Sequence, residues 1–229
     1  MIISHEYKFI FLKTRKTAGT SIEIALSKFC DVNDIITPIL GKDERKRQEL
    51  GYRGPQNYNI PLCFYQKADW INLLKKRQPK QFFNHAGANF IKANIKAEIW
   101  QNYFKFCFER NPFDKAISRY YWSAREPRPA ISDYLEHLQT KFLSDWNIYT
   151  IENQIAVDFV GRYENLTDDL AIVAEKLGLP GELSLTKAKG GYRKERKHYT
   201  QLLDRQAQTR IEQVCNKEMS VFNYAWEGR

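Results

Sequence analysis

The stretch "KTRKTAGTSIEIAL", Lys13 to Leu26, places three cations and a run of small and hydroxylated residues directly before a hydrophobic-periodic segment. Just ahead lies "YKFIFLK", whose unbroken "FIFL" (Phe9 to Leu12) is the pattern of a strand covered on both faces in a parallel sheet. Just behind, Ile22, Ala25, Leu26 and Phe29 recur at i, i+3, i+4 and i+7, which is one face of a helix. A strand therefore delivers the chain to a helix through a loop that is cationic, flexible and rich in hydroxyls. A helix N-terminus carries unpaired N–H groups and a partial positive charge, so such a loop suits phosphate or sulfate. Gly19 lets the backbone approach an anion, Thr17, Thr20 and Ser21 offer hydroxyl donors, and Lys16 adds a mobile full charge. The nucleoside-triphosphate loop GxxxxGK[ST] has a different order: here the lysine precedes the glycine, and the first glycine of that pattern is missing. An ordinary strand–helix turn with surface lysines is the plain alternative.

The same alternation continues along the chain. "YFKFCFER" alternates Phe104, Phe106 and Phe108 and reads as a second strand, ending at Arg110. "NPFDKAISRYYW" opens a helix with Asn111 at the N-cap, Pro112 at the first helical position and Asp114 near the positive end. "IAVDFVGRYENL" reads as a third strand and its exit. "DDLAIVAEKLGLP" is a helix with Leu170, Val173, Ala174 and Leu177 on one face, stopped by Gly178 and Pro180. A last amphipathic helix is expected over roughly Leu202 to Met219. Residues 31–80 read as charged loops and short helices around an open surface, with "KADWINLLKKR" as a helix and Lys42 to Arg47 as a solvated face. Strands alternating with helices predict an α/β fold, a parallel sheet with helices on both faces, in a single domain over residues 1–229. Ligands in such sheets sit outside the carboxyl ends of the strands, where Lys16 and Arg110 both fall.

Arg110 and Ser118 form a second candidate anion site, an Arg fork at a strand end and a hydroxyl two turns into the helix beyond Asn111. Pairing of Arg110 with Asp114 or Glu164 is the alternative. Lys plus Arg number 36 against 27 Asp plus Glu, a formal net charge of +9 that attracts polyanions of any kind. No nucleic-acid motif or aromatic–basic repeat accompanies it, so no nucleic-acid partner is expected. Cys30, Cys63, Cys107 and Cys215 are far apart, without CxxC or a histidine at metal-ligand spacing, and read as buried, reduced thiols with no metal. The chain starts without a signal-like apolar run, and no stretch approaches the ~20 residues of a membrane span. A cytoplasmic protein is the expectation.

"RKTAGTS" followed by a helix resembles the 5′-phosphosulfate loop of sulfotransferases that use 3′-phosphoadenosine 5′-phosphosulfate (PAPS). "FERNPFDKAISRYYW" is similar to their 3′-phosphate motif, with an Arg and a Ser eight residues apart. "VGRYENL" looks like a segment of the carbohydrate sulfotransferases, and a weaker likeness continues into "NYAW". The resemblance implies a phosphosulfate-binding strand–loop–helix formed by Arg15, Lys16, Thr17, Ala18, Gly19, Thr20 and Ser21, with Lys16 also catalytic. It implies Arg110 and Ser118 at the 3′-phosphate, and Tyr163 near the adenine. Three positions depart from the family pattern: Arg15 stands where proline is common, Ala18 where glycine is common, and Lys115 where arginine is common.

A hydroxyl acceptor has a pKa far above 7, so a general base helps as the new bond forms. His5, His137 and His198 carry no other site signal. His85, in "FFNHAGANFIK", lies between the two anion motifs and matches a histidine that the carbohydrate sulfotransferases place there as base; Glu23 is the alternative. Arg193, in "KAKGGYRKERKHY", is read as closing over the nucleotide. The implied activity is sulfuryl transfer from PAPS to a hydroxyl acceptor, favoured to be a glycan shaped by residues 31–80, leaving adenosine 3′,5′-bisphosphate and requiring no metal. A nucleotide or sugar kinase and a non-enzymatic polyanion-binding protein are the rivals.

Overall fold

In the computed structural model, which describes residues 1–181, 183, 185 and 197–227, the strand ahead of the cationic loop is the middle one of a five-stranded sheet. The strands are β1 (Ile2–Ser4), β2 (Phe9–Phe11), β3 (Ile35–Ile36), β4 (Phe104–Glu109) and β7 (Phe159–Arg162), in spatial order β3-β1-β2-β4-β7. A separate small hairpin pairs β5 (Thr150–Ile151) with β6 (Gln154–Ile155). β2 and β4 run parallel with Phe11 opposite Phe106, and β4 and β7 run parallel with Glu109 opposite Arg162.

The expected all-parallel sheet needs correction at one edge. β1 is antiparallel to β2, and β3 is antiparallel to β1. Only residues 5–8 separate β1 from β2, far short of the dozen or so that a parallel crossover needs, so the chain turns back as a hairpin. Lys8, at φ 50, closes it. Because β3 reverses again, β1 alone runs against the other strands, and the sheet is mostly parallel.

Side-chain alternation explains why both faces are covered. Ile2, Phe9, Phe11, Phe106 and Phe108 point to one side. There they meet Ile22 and Leu26 of α1 (Gly19–Ser27) and, at the opposite end of the sheet order, Leu170 and Val173 of the helix Leu166–Leu177. Ile3, Ile10, Leu12 and Cys107 point to the other side. Between α1 and β4 come α2 (Gly41–Glu49), α3 (Lys67–Lys76), α4 (Ala88–Lys92) and α5 (Ala97–Asn102). After β4 come α6 (Pro112–Ser123), α7 (Ile131–His137), α8 (Trp146–Tyr149), α9 (Leu166–Leu177), α10 (Arg205–Val214) and α11 (Asn216–Phe222). Ala88 and Ile91 of α4, Ile148 and Tyr149 of α8 and Phe222 of α11 cover the second face. A further cluster joins α6, α7 and α10 through Phe113, Ile117, Leu135 and Ile211.

Three smaller expectations also change. The last helix is two, α10 and α11, broken at Cys215, whose φ of -104 and ψ of 20 leave the helical range. The cluster Lys42 to Arg47 is a helical segment but not a fully solvated one: Arg47 is completely buried and reaches Glu23 at 3.8 Å and Glu44 at 3.6 Å. Cys63 is exposed, while Cys30, Cys107 and Cys215 are buried as expected. Arg193 lies outside the described residues.

Candidate active site

The cationic loop runs from the end of β2 to the start of α1, and its backbone carries the local strain. Lys16 (φ 62) and Ala18 (φ 59) are both left-handed. Such turns direct backbone N–H groups toward one concave side, a shape suited to an anion. Ala18 stands where the resemblance expects glycine, and the loop keeps the left-handed turn even so, at a cost of about 1–2 kcal/mol. α1 then starts with no side-chain cap and no acid in its first turn. Its positive end is left uncompensated by carboxylates of its own.

Gly19 also sits where a side chain would not fit. A Cβ there would stand 2.9 Å from Lys13 Cγ and 3.2 Å from the Thr14 carbonyl oxygen. The glycine lets α1 pack against the strand end. Thr17 also turns inward: its hydroxyl is 2.8 Å from that of Thr14, which donates to the Phe108 carbonyl. Thr20 and Ser21 are buried in the first turn of α1.

Arg110 closes on this loop from the neighbouring strand. Its Nη1 donates to the Lys16 carbonyl at 3.2 Å, and its guanidinium lies 4.0 Å from the centre of the Tyr163 ring. Its Nε is buried with no hydrogen-bond partner. Three residues predicted for the donor site, Lys16, Arg110 and Tyr163, thus meet, with Tyr163 as a platform beneath the arginine. Glu164, a candidate alternative partner for Arg110, instead accepts from the Asn111 N–H at 2.7 Å and from the Tyr224 hydroxyl at 3.1 Å. Asn111 caps α6 by accepting from the Phe113 N–H at 3.0 Å, and Pro112 follows at the first helical position, both as expected. The cap fixes the direction in which α6 carries Ser118, which is half-buried two turns on.

His85 sits in the turn before α4, itself left-handed at φ 63. Its Nδ1 is 2.8 Å from the Lys13 carbonyl oxygen. A carbonyl only accepts, so Nδ1 carries the proton and Nε2 keeps its lone pair. Burial, followed by the nearby cations Lys13 and Arg15, lowers the imidazole pKa to about 4. The ring is therefore neutral at physiological pH. Glu23 has the opposite character. Its carboxylate is fully buried, 2.6 Å from Lys13 Nζ and 2.9 Å from the Met1 ammonium. Although burial opposes ionisation, Lys13, the Met1 ammonium and Arg47 hold its pKa down at about 2. A carboxylate so tightly held by cations is a poor proton acceptor.

Several neighbours escaped sequence reasoning. Asp145, just before α8, is a buried acid bound to both Arg15 and Lys115. Lys16 Nζ lies 5.1 Å from the centre of the Trp122 ring, and Arg119 stacks between Trp122 at 5.0 Å and Phe142 at 4.4 Å. The i, i+3 spacing of Arg119 and Trp122 in "SRYYW" was the available signal; Phe142 and Asp145 had none. Among the described residues, no group of three or more His, Cys, Asp or Glu could hold a metal ion, and no helix is long and apolar enough to cross a membrane.

The family described as "Sulfotransferase family" matches residues 1–225. A stretch of 113 residues is 36% identical to an uncharacterized protein of Archaeoglobus fulgidus, covering 45% of this chain and 94% of that protein. No solved structure matches the chain. A match over nearly the whole length places the chain in the sulfotransferase family.

Proposed function

We propose that the protein transfers a sulfuryl group from PAPS to a hydroxyl acceptor, favoured to be a carbohydrate. The observation that supports this most directly is the 3.2 Å hydrogen bond from the Arg110 guanidinium to the carbonyl of Lys16. It joins the two anion motifs at the ends of adjacent strands, as a donor phosphorylated at both ends of its ribose requires. The unpartnered, buried Nε of Arg110 fits a missing acceptor group there.

The residues divide the work as follows. Arg110 and Ser118 hold the 3′-phosphate, with Tyr163 keeping the guanidinium flat. The backbone of residues 15–21 receives the phosphosulfate, which when bound supplies a sulfuryl group on a phosphate leaving group. His85 Nε2 takes the acceptor's proton as the new S–O bond forms, while Lys16 and the loop N–H groups stabilise negative charge on the departing phosphate oxygen. His85 hangs from the Lys13 carbonyl, so base and loop are held in one frame. Residues 1–229 are read as one catalytic domain in the cytoplasm, where four cysteines outside any disulfide stay reduced.

The test is a thermal-shift comparison of adenosine 3′,5′-bisphosphate, AMP and ATP with Mg²⁺, followed by labelled-sulfate transfer across a glycan panel. The bisphosphate should stabilise most, and Arg110→Ala should weaken its binding about 10–100-fold, the loss of a charge-assisted hydrogen bond. A larger shift with ATP and Mg²⁺ favours the kinase reading, and undiminished bisphosphate affinity in Arg110→Ala removes the 3′-phosphate assignment.

A further inference from the structure

Behind the donor site lie three buried charged residues, Asp145, Lys115 and Glu109, that none of the roles above uses. Asp145 is 1% exposed. Its Oδ1 accepts from Arg15 Nη1 at 2.5 Å, and its Oδ2 accepts from the Arg15 backbone N–H at 2.7 Å. The same Oδ2 lies 2.7 Å from Lys115 Nζ. Lys115, on α6, also donates to Glu109 Oε1 at 2.7 Å, and that oxygen accepts from the Arg110 backbone N–H at 2.9 Å. Arg110 in turn reaches back to the carbonyl of Lys16, the residue after Arg15. The contacts close a ring: Arg15, Asp145, Lys115, Glu109, Arg110, Lys16 and Arg15 again.

We propose that Asp145 is a positioning residue that locks the phosphosulfate loop to the 3′-phosphate strand and helix, acting through Arg15 and Lys115 without touching substrate. Three observations carry this, together with the donor reading above, on which it rests. Asp145 holds both the backbone and the side chain of the residue just before the left-handed turn at Lys16, and a strained turn persists only where its surroundings over-determine it. Inside the ring the side chains of Asp145 and Glu109 are bound by those of Arg15 and Lys115, yet a buried ion cluster is seldom more stable than apolar side chains of the same shape; its attested use is to fix register. The ring also contains Arg110 itself, so whatever fixes the ring fixes the distance between the two phosphate grips.

A linkage of this kind is measurable as a ratio that partial unfolding does not change. AMP and adenosine 3′,5′-bisphosphate share the 5′-phosphate and differ only in the 3′-phosphate, so the ratio of their dissociation constants reports how well both grips act at once. In the wild-type chain the bisphosphate should bind far more tightly than AMP; equal affinities would sink the donor reading itself. In Asp145→Asn the ratio should fall at least fivefold, a coupling in the usual range, and kcat for sulfuryl transfer should fall about 10–100-fold. If Asp145→Asn does not fold, Lys115→Met is measured instead. In that variant Asp145 keeps Arg15 as partner and Glu109 can take up a proton, and the ratio should fall in the same way. A wild-type ratio in a folded variant overturns the proposal, even if the variant melts at a lower temperature.

Discussion

At the residue scale, His85 shows how environment selects a role. A histidine in water titrates near 6.5, and this one is lowered to about 4 by burial and by Lys13 and Arg15. The unfolded chain therefore takes up the proton first. Stability from this group is intact above pH 6.5 and is lost as pH falls through about 4, a change of about 3 kcal/mol in total. Urea melts between pH 7 and pH 4 should show that slope in the wild type and a shallower one in His85→Gln. The same variant should lower kcat about 10²–10⁴-fold while leaving adenosine 3′,5′-bisphosphate affinity near wild type. Normal turnover in His85→Gln removes it as the base. Its candidacy as base came from its place between two sequence motifs and from the resemblance. Its tautomer was not legible, because that depends on a carbonyl 72 positions earlier in the chain. Arg47 was opaque for the same reason: a cation in a basic stretch looks solvated until the acid beside which it is buried, Glu23, is placed next to it.

At the element scale, what could be read was local. The cap of α6, the stop of α9 at the left-handed Gly178 and the parallel strands β2, β4 and β7 follow from residue types within a few positions of each other. The break at Cys215 and the purpose of Gly19 do not, since each depends on packing from elsewhere. Gly161 is a similar case in β7. A Cβ there would meet the ring of Phe108 on β4 at 2.4 Å, and Phe108 is wholly buried between other aromatic rings and the helices. The Phe108 ring lies over β7 in the space that a side chain at this position would fill. Gly161→Ala should destabilise the protein by about 1–3 kcal/mol, as over-packing does, in thermal or denaturant unfolding. An unchanged melting curve would show that the ring has room to move.

At the scale of the whole molecule, alternation of strands and helices was enough to anticipate a sheet covered on both faces. It could not reveal the antiparallel β1, because a hairpin of three-residue strands leaves the same apolar trace as one longer strand. Nor could it show that Asp145 holds the loop, since it lies more than a hundred positions from Arg15. The arrangement of rings around the loop also gives the molecule its own optical gauge. Trp122 is one of five tryptophans, and Lys16 Nζ rests 5.1 Å above it. An arriving phosphate draws that ammonium off the indole, so intrinsic emission should change as nucleotide is titrated in, and the change should vanish in Trp122→Phe.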